Sequence, residues 1–109
     1  MAKLVPITLD RKRNLKCGVN AALDISQALG LTLEQAVNQV QISNFAAVRA
    51  FLWAFLRHEQ SELSLDDAGN LLETHIENGG DLEELGLKIA ETAAGATWLY
   101  QIADKAKKN

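Results

Sequence analysis

The stretch from Phe45 to Leu56 is apolar at every position except Arg49. It is too short to cross a bilayer, which takes roughly 20 apolar residues, and it is longer than an ordinary strand. It therefore predicts an α-helix of about three turns. Ser43 or Asn44 can cap its N-terminus by accepting a hydrogen bond from a free backbone N–H. Because a helix that is apolar on nearly all sides must be covered by neighbours or kept for a partner, we expect the other helices to pack around this one.

Two aromatic residues of this helix lie outside its predicted buried face. The side chains that share that face at helical spacing are Phe45, Val48, Leu52, Phe55 and Leu56. Phe51 and Trp53 fall off the stripe, and Trp98 lies near the end of the last predicted helix. An apolar patch that a small domain leaves uncovered is suited to a partner helix or to self-association. We therefore predict Phe51, Trp53 and Trp98 as partner-binding residues, with an ordinary core position as the alternative for each.

A short β-hairpin is predicted before the helices. Val5–Leu9 carries β-branched residues in weak alternation, and Pro6 restricts it to an edge strand because proline has no N–H. A polar turn over Asp10–Asn14 leads to a second short strand over Leu15–Cys17. An isolated hairpin is marginal in water, so this one must pack on the helices or pair with another chain. We expect its basic tip, Arg11–Arg13, to be solvated, with contact to an acidic partner as the alternative.

Capping residues mark the first two helices after the hairpin. Asn20 is suited to be the N-cap of a helix over 21–29, and Gly30 suits the turn that ends it. Thr32 and Gln35 form the pattern of a capping box, in which each side chain serves the backbone of the other. This box predicts the start of a second, short helix.

Two further helices are predicted in the second half of the chain. Ser64 suits the N-cap of the first, and the glycines after Asn78 end it. The last helix is predicted to run from Leu82 to about Lys105. Gly95 lies inside it and costs about 1 kcal/mol relative to alanine there, so this position indicates tight packing or a bend.

These elements predict one domain over 1–109, of the mainly α (α+β) class. A β-hairpin occupies 1–17, a helical core 20–78 and a long C-terminal helix 81–105. About five helices then pack around the central apolar helix. A chain of 109 residues is long enough for one domain with a modest core.

Charge and composition argue against several classes of protein. The net charge is -3, and basic side chains cluster near the two ends of the chain, at Lys3, Arg11, Lys12, Arg13, Lys16, Lys105, Lys107 and Lys108. A domain that binds duplex nucleic acid usually has a larger basic face and a positive balance, so nucleic acid is not the expected partner. The sequence shows no secretion signal and no membrane span, and its lone Cys17 fits a reducing compartment. We expect a cytoplasmic protein.

The sequence contains no motif of a familiar active site. His58-Glu59 does not begin a His-Glu-x-x-His zinc motif, because Glu62 stands where the second histidine would be. The two histidines, His58 and His75, and the one cysteine are too few for an ordinary structural zinc site. We interpret Cys17 as a half-buried strand residue, although a Cys17–His nucleophilic pair would depend on proximity in space. We expect neither an enzyme nor a bound cofactor or metal.

The order of motifs resembles a family of small tail assembly chaperones of tailed phages and prophages, a group that includes the gene-transfer-agent tail proteins. The chain has an Ile-Thr-Leu-Asp strand, a basic turn and a Leu-centred strand, then an Ala-Leu-Gly helix end and Leu-Thr-Leu-Glu-Gln. An aromatic helix, His-Glu and Leu-Ser-Leu-Asp-Asp-Ala-Gly follow. These segments are Ile7–Asp10, Asn14–Lys16, Ala28–Gly30, Leu31–Gln35, Leu52–Leu56, His58-Glu59 and Leu63–Gly69.

The resemblance implies a non-enzymatic factor in the host cytoplasm. Such chaperones bind the long, aggregation-prone tape measure protein and help recruit tail tube subunits. The family has no catalytic residues to carry over. One alternative is a virion structural protein of the tail tube type, which would form rings or tubes as a homo-oligomer by pairing hairpin edges between subunits. A second alternative is a small helical regulator that uses its basic ends on nucleic acid.

Overall fold

A computed structural model of the chain describes residues 3–41 and 44–96. Two antiparallel strands come first, and five helices follow. The elements are β1 (Val5–Thr8), β2 (Lys12–Leu15), α1 (Val19–Leu29), α2 (Leu33–Gln41), α3 (Phe45–Leu56), α4 (Leu65–Glu77) and α5 (Leu82–Ala94). This arrangement confirms the predicted α+β class, with a small N-terminal hairpin followed by helices.

Helix α3 is the element around which the others pack. It contacts α1, α2, α4, α5 and β2. Its fully buried side chains include Phe51 and Phe55, whose rings meet edge to face with their centroids 5.3 Å apart. Aromatic pairs favour this geometry because the positive edge of one ring faces the negative face of the other. The prediction of a central apolar helix is confirmed.

The hairpin packs on the helices at both of its strands. In its register Val5 lies opposite Leu15 and Thr8 opposite Lys12. Val5 and Leu15 are both buried, and they give the hairpin one apolar face. Strand β1 contacts α5, and β2 contacts α3. This packing supplies the support that an isolated two-stranded sheet lacks in water.

Most of the predicted helix ends are found in the structure. The Asn44 side chain accepts hydrogen bonds from the backbone N–H groups of Ala46 and Ala47, so Asn44 caps α3. Thr32 and Gln35 form the predicted capping box, with distances of 3.1 and 3.2 Å. Other predicted ends also form: Ser64 caps α4 through Asp67, and Gly30 ends α1 in the left-handed conformation with φ 67.

The predicted cap of α1 is wrong. The helix begins at Val19, one residue before Asn20, and Gly18 precedes it without any side-chain capping bond. Gly18 is extended, with ψ 178, so the chain turns into the helix there instead. One consequence is that Val19 belongs to the helix and lies one turn before Leu23.

Helix α5 ends at Ala94, earlier than the sequence predicted. Gly95 and Ala96 close the helix with hydrogen bonds that reach back three residues, to Thr92 and Ala93. A Cβ atom on Gly95 would lie 2.8 Å from the Cβ of Lys3, so the glycine permits the N-terminal segment to pass close by. Tight packing thus accounts for Gly95. The rest of the predicted helix, over 97–105, lies outside the described residues.

Candidate partner-binding surface

Helix α3 has one face that its neighbours do not fully cover. Its members are Phe45, Arg49 and Trp53, with Arg57 just beyond the helix end, and we call this set the outer stripe. Residues four apart stack on one side of a helix, so these four side chains follow one another along the surface. Arg49 contacts α4 and Arg57 reaches α1, so the stripe lies between those two helices.

The outer stripe corrects two of the sequence predictions. Phe51 is 0% exposed, so it belongs to the core and cannot meet a partner in this structure. Phe45, which was expected on the buried stripe, is 60% exposed. Phe45 is the first residue of α3, at the end of the helix and outside its buried middle. The signal that could have located the open face is Arg49, the one charged residue of the helix.

Trp53 lies on the outer stripe but is only partly exposed. Its indole Nε1 donates a hydrogen bond to the Leu63 carbonyl oxygen at 2.9 Å. The guanidinium carbon of Arg57 lies 5.1 Å from the centre of its ring, which is the geometry of a cation–π contact. Its role in partner binding stays a prediction. Trp98, the third predicted contact residue, lies outside the described residues.

A groove runs beside the end of α3, between that helix and α1. It has a volume of about 570 Å³, and its lining includes Val19, Leu23, Asp24, Arg57 and His58. We call it the α1 groove. Val19 is 53% exposed and Leu23 is 54% exposed, and they lie one helical turn apart. Arg57 and Asp24 form an ion pair at the edge of the groove, with Nη1 and Oδ2 2.8 Å apart. The groove thus offers two adjacent aliphatic side chains beside a fixed ion pair.

The loop after α3 is held to the hairpin by hydrogen bonds. Glu59 accepts hydrogen bonds from the backbone N–H and side-chain amide of Asn14, at 3.0 and 3.2 Å. Nε2 of His58 lies 2.6 Å from the Asn14 carbonyl oxygen, to which it must donate. The bond from the Asn14 backbone N–H holds the pKa of Glu59 below its ordinary value. The His-Glu segment therefore fixes β2 to the end of α3, next to the α1 groove.

Arg13 corrects the prediction of a solvated basic turn. Arg11 and Lys12 are exposed, but Arg13 is only 5% exposed. Its Nε and Nη2 donate to the two carboxylate oxygens of Asp10, at 2.8 and 3.0 Å, and Nη1 donates to Gln60 at 3.0 Å. The hydrogen bonds from Arg13 hold the pKa of Asp10 below its ordinary value, and the same bonds raise the pKa of Arg13.

Arg49 makes no such hydrogen bond to any residue in 3–41 or 44–96. Its Nε is buried, and no described residue accepts a hydrogen bond from it. Its aliphatic stem lies along α4 beside Gly69, where a Cβ atom would come 3.3 Å from Arg49 Cδ. The glycine therefore gives the stem room to lie flat on α4. The side chain is half-buried, in a helix that is otherwise apolar.

A second groove lies between the hairpin and the start of α5. Its volume is about 590 Å³, and charged side chains of both signs line it, among them Lys12, Asp81, Glu84 and Lys88. The ring of His75 closes one side, packed against the backbone of Gly80 so tightly that any Cβ there would clash with it. Gly80 therefore leaves room for this histidine, and Gly79 beside it adopts a positive φ of 83.

The candidate nucleophile and the candidate metal ligands of the sequence can be located in the structure. Cys17 is fully buried, and burial raises the pKa of its thiol to about 11, so the thiolate needed for nucleophilic attack is scarce at neutral pH. Within 3–41 and 44–96, no three His, Cys, Asp or Glu side chains converge in a way that could hold a metal ion. No helix in this part of the chain is long and apolar enough to cross a membrane.

Comparison with known proteins leaves the function to be argued from the surface itself. No protein-family model, no curated protein and no solved structure matches this chain.

Proposed function

We propose that this protein is a non-enzymatic assembly chaperone that holds an amphipathic helix of a larger client in the α1 groove. The observation that carries the proposal is the pair Val19 and Leu23, both more than half exposed on one face of α1. Exposed aliphatic side chains one turn apart, beside a groove, suit the apolar face of a helix. The resemblance to tail assembly chaperones makes the tape measure protein the proposed client and tail tube subunits the proposed further partners, in the host cytoplasm.

The surroundings of the groove suit a binding role. Arg57 is held in place by both Asp24 and the ring of Trp53, and His58 is fixed to the hairpin. A surface that is already ordered loses little conformational entropy when a partner binds, and this favours affinity. The ion pair at the edge of the groove offers polar groups that can orient a client helix, while the aliphatic pair supplies the apolar contact.

The hairpin argues against the tail tube alternative. Pairing between subunits needs free strand edges, and the outer edge of β2 is occupied at Asn14 and just beyond the strand at Lys16. The backbone N–H groups of Asn14 and Lys16 donate to Glu59 and to the Phe55 carbonyl oxygen, and the Asn14 carbonyl accepts from His58. The outer edge of β1 lacks one hydrogen-bond donor, because Pro6 has no N–H. The nucleic-acid alternative also loses support, since Arg13 is buried and neutralised by Asp10.

The proposal can be tested by measuring absolute mass in solution over a range of concentrations, alone and with fragments of a candidate tape measure protein. We expect a small free species that forms a complex of defined stoichiometry. Leu23→Asp should weaken the complex by at least about tenfold, because it places a charge in the apolar contact.

Leu87→Asp is the matched control. Leu87 is 68% exposed on α5, away from the α1 groove, so the same change there should leave the affinity unchanged. Equal binding by the native protein and Leu23→Asp would remove the α1 groove from the proposal. Large rings or tubes that ignore the fragment would favour the structural alternative.

A further inference from the structure

The turn that ends α4 contains the only Asn-Gly pair in the sequence, Asn78–Gly79. Both residues are exposed to solvent. Asparagine is a chemically labile residue, and a following glycine has no side chain to obstruct attack by its own backbone nitrogen. The pair lies apart from the α1 groove, beside the second groove, whose lining includes Gly79 and Gly80. This turn therefore carries the residues of a possible chemical modification that the proposed function does not involve.

The reaction at such a pair needs water as its only co-reactant. The Gly79 nitrogen gives up its proton and attacks the side-chain carbonyl carbon of Asn78. The bond from that carbon to the amide nitrogen breaks, and ammonia leaves with the proton, so that a cyclic succinimide remains. Water then adds to one of the two ring carbonyls and opens the ring. The product is an aspartate or, where the backbone now runs through the side chain, an isoaspartate.

The folded end of α4 holds the pair away from the reactive geometry. Three successive backbone N–H groups close this helix end. Their hydrogen bonds run from Asn78 to Thr74, from Gly79 to Ile76 and from Gly80 to His75, at 3.0, 3.0 and 2.8 Å. With φ 83 at Gly79, this is an arrangement that often ends a helix at glycine. The attacking nitrogen is thus engaged as a donor, and the ψ of 13 at Asn78 turns it away from the Cβ that carries the side-chain carbonyl.

We infer that Asn78 is a site of spontaneous conversion to aspartate and isoaspartate, and that the opening of the α4 end controls its rate. Ring closure requires rotation about ψ of Asn78, which breaks the hydrogen bonds made by Gly79 and Gly80. The rate in the folded protein is therefore the rate in an open chain multiplied by the fraction of molecules that are open at this end.

The conversion weakens the helix end that it passed through. Both products place a carboxylate next to Glu77, at the negative end of the α4 dipole. Isoaspartate also lengthens the backbone, which shifts Gly79 and Gly80 relative to His75. A molecule that has opened here and reacted consequently keeps a less stable turn beside the second groove.

The test follows the Asn78 amide in the full chain. The protein is incubated at mildly alkaline pH, in buffer and in guanidinium chloride that unfolds it, and peptide mapping by mass spectrometry measures conversion. We expect conversion to be at least about tenfold slower in the folded protein, because the helix end is closed most of the time. Asn70 is the internal control: it is exposed within α4 and is followed by Leu71, so it should keep its amide. Equal rates at Asn78 in the two conditions would overturn the inference, as would an amide that survives in the denaturant.

Two variants at Glu77 test the control by the helix end. Glu77 is the last residue of α4 and is exposed, so its replacement leaves both the core and the Asn78–Gly79 pair intact. Glu77→Gly should convert about threefold faster than Glu77→Ala in the folded state, because glycine weakens a helix relative to alanine. Their rates in denaturant should agree. Equal rates for the two folded variants would show that opening of the α4 end does not govern the reaction.

Discussion

Arg13 and Arg49 are both arginines with partly or fully buried side chains. The two regions differ in how many hydrogen bonds these side chains make. At the hairpin, Arg13 makes three hydrogen bonds, to Asp10 and Gln60, and the neighbouring loop is fastened to the same strand. On α3, Arg49 lies against Gly69 with a buried Nε that no described residue satisfies.

This difference in hydrogen bonding indicates that the hairpin region is optimised for stability and the outer stripe is not. Among the described hairpin residues, every buried side-chain nitrogen or oxygen has a partner, as is usual in native interiors. The outer stripe breaks that rule at Arg49 and also exposes Phe45. Departures of this kind concentrate at functional sites, where binding rather than stability sets the residue. The comparison therefore predicts that changes at the hairpin cost stability and that changes on the outer stripe cost binding.

The prediction with the largest expected effect compares the buried interior of α3 with its outer stripe. It asks whether substitutions at the two places cost different amounts of stability. Phe51→Ala removes a fully buried ring that packs against Phe55, and we expect a loss of about 3–5 kcal/mol in the free energy of unfolding. Phe45→Ala, at the exposed end of the stripe, should change it by no more than about 0.5 kcal/mol. Urea unfolding measures both. Similar losses for the two variants would mean that Phe45 is part of the core.

The next prediction compares the stability changes that follow from replacing each of the two arginines. Arg13→Met should lower the free energy of unfolding by about 1–3 kcal/mol, because Asp10 and Gln60 lose the donors that satisfy them. Arg49→Met makes the same chemical change where no described partner is lost, so it should not destabilise the protein. Thermal unfolding of both variants at one pH decides the matter. If Arg49→Met costs as much as Arg13→Met, the contrast between the regions disappears.

Acid should weaken the hairpin region selectively. The pKa values of Asp10 and Glu59 are held below their ordinary values of 3.8 and 4.5, by Arg13 and by the Asn14 N–H respectively. Lowered values in the folded state mean that both carboxylates stabilise the fold above those ordinary values and lose that contribution as the pH falls below them. Stability should therefore decline from about pH 5 downward. The double variant Asp10→Asn with Glu59→Gln should show a flatter decline, and an unchanged slope would contradict the assignment.

Much of the fold could be predicted because its signals are local. The capping residues Asn44 and Ser64 and the Thr32–Gln35 box act within one turn of the chain, so their effect can be deduced without knowing the tertiary structure. The apolar run of α3 also had to be central, whatever surrounded it. The close approach of Lys3 to Gly95, by contrast, is a contact between the two ends of the described chain, which no local pattern contains.

The site was harder to predict because it depends on which neighbours cover which face. A helix as uniformly apolar as α3 does not show its open side by periodicity, and this is why Phe51 was assigned to it wrongly. Two usable signals were nevertheless present. Arg13 lies two residues from the buried Leu15, on the same face of β2, but the expected strand over Leu15–Cys17 placed Arg13 in the turn, whereas β2 is Lys12–Leu15. Val19 lies four residues from Leu23, but the expected cap at Asn20 placed Val19 outside the helix.

The smallest expected effect examines how α4 holds Arg49. Gly86→Ala in α5 should stabilise the protein by about 0.5–1 kcal/mol, because its new Cβ would lie at an ordinary 3.5 Å from Val40 and alanine favours a helix over glycine. Gly69→Ala has the same advantage in α4, but its Cβ would press on the stem of Arg49 at 3.3 Å. Its gain should be smaller by a few tenths of a kcal/mol and should return in full when Arg49 is also changed to alanine. An equal gain in the native background would mean that Gly69 does not set the position of the Arg49 stem.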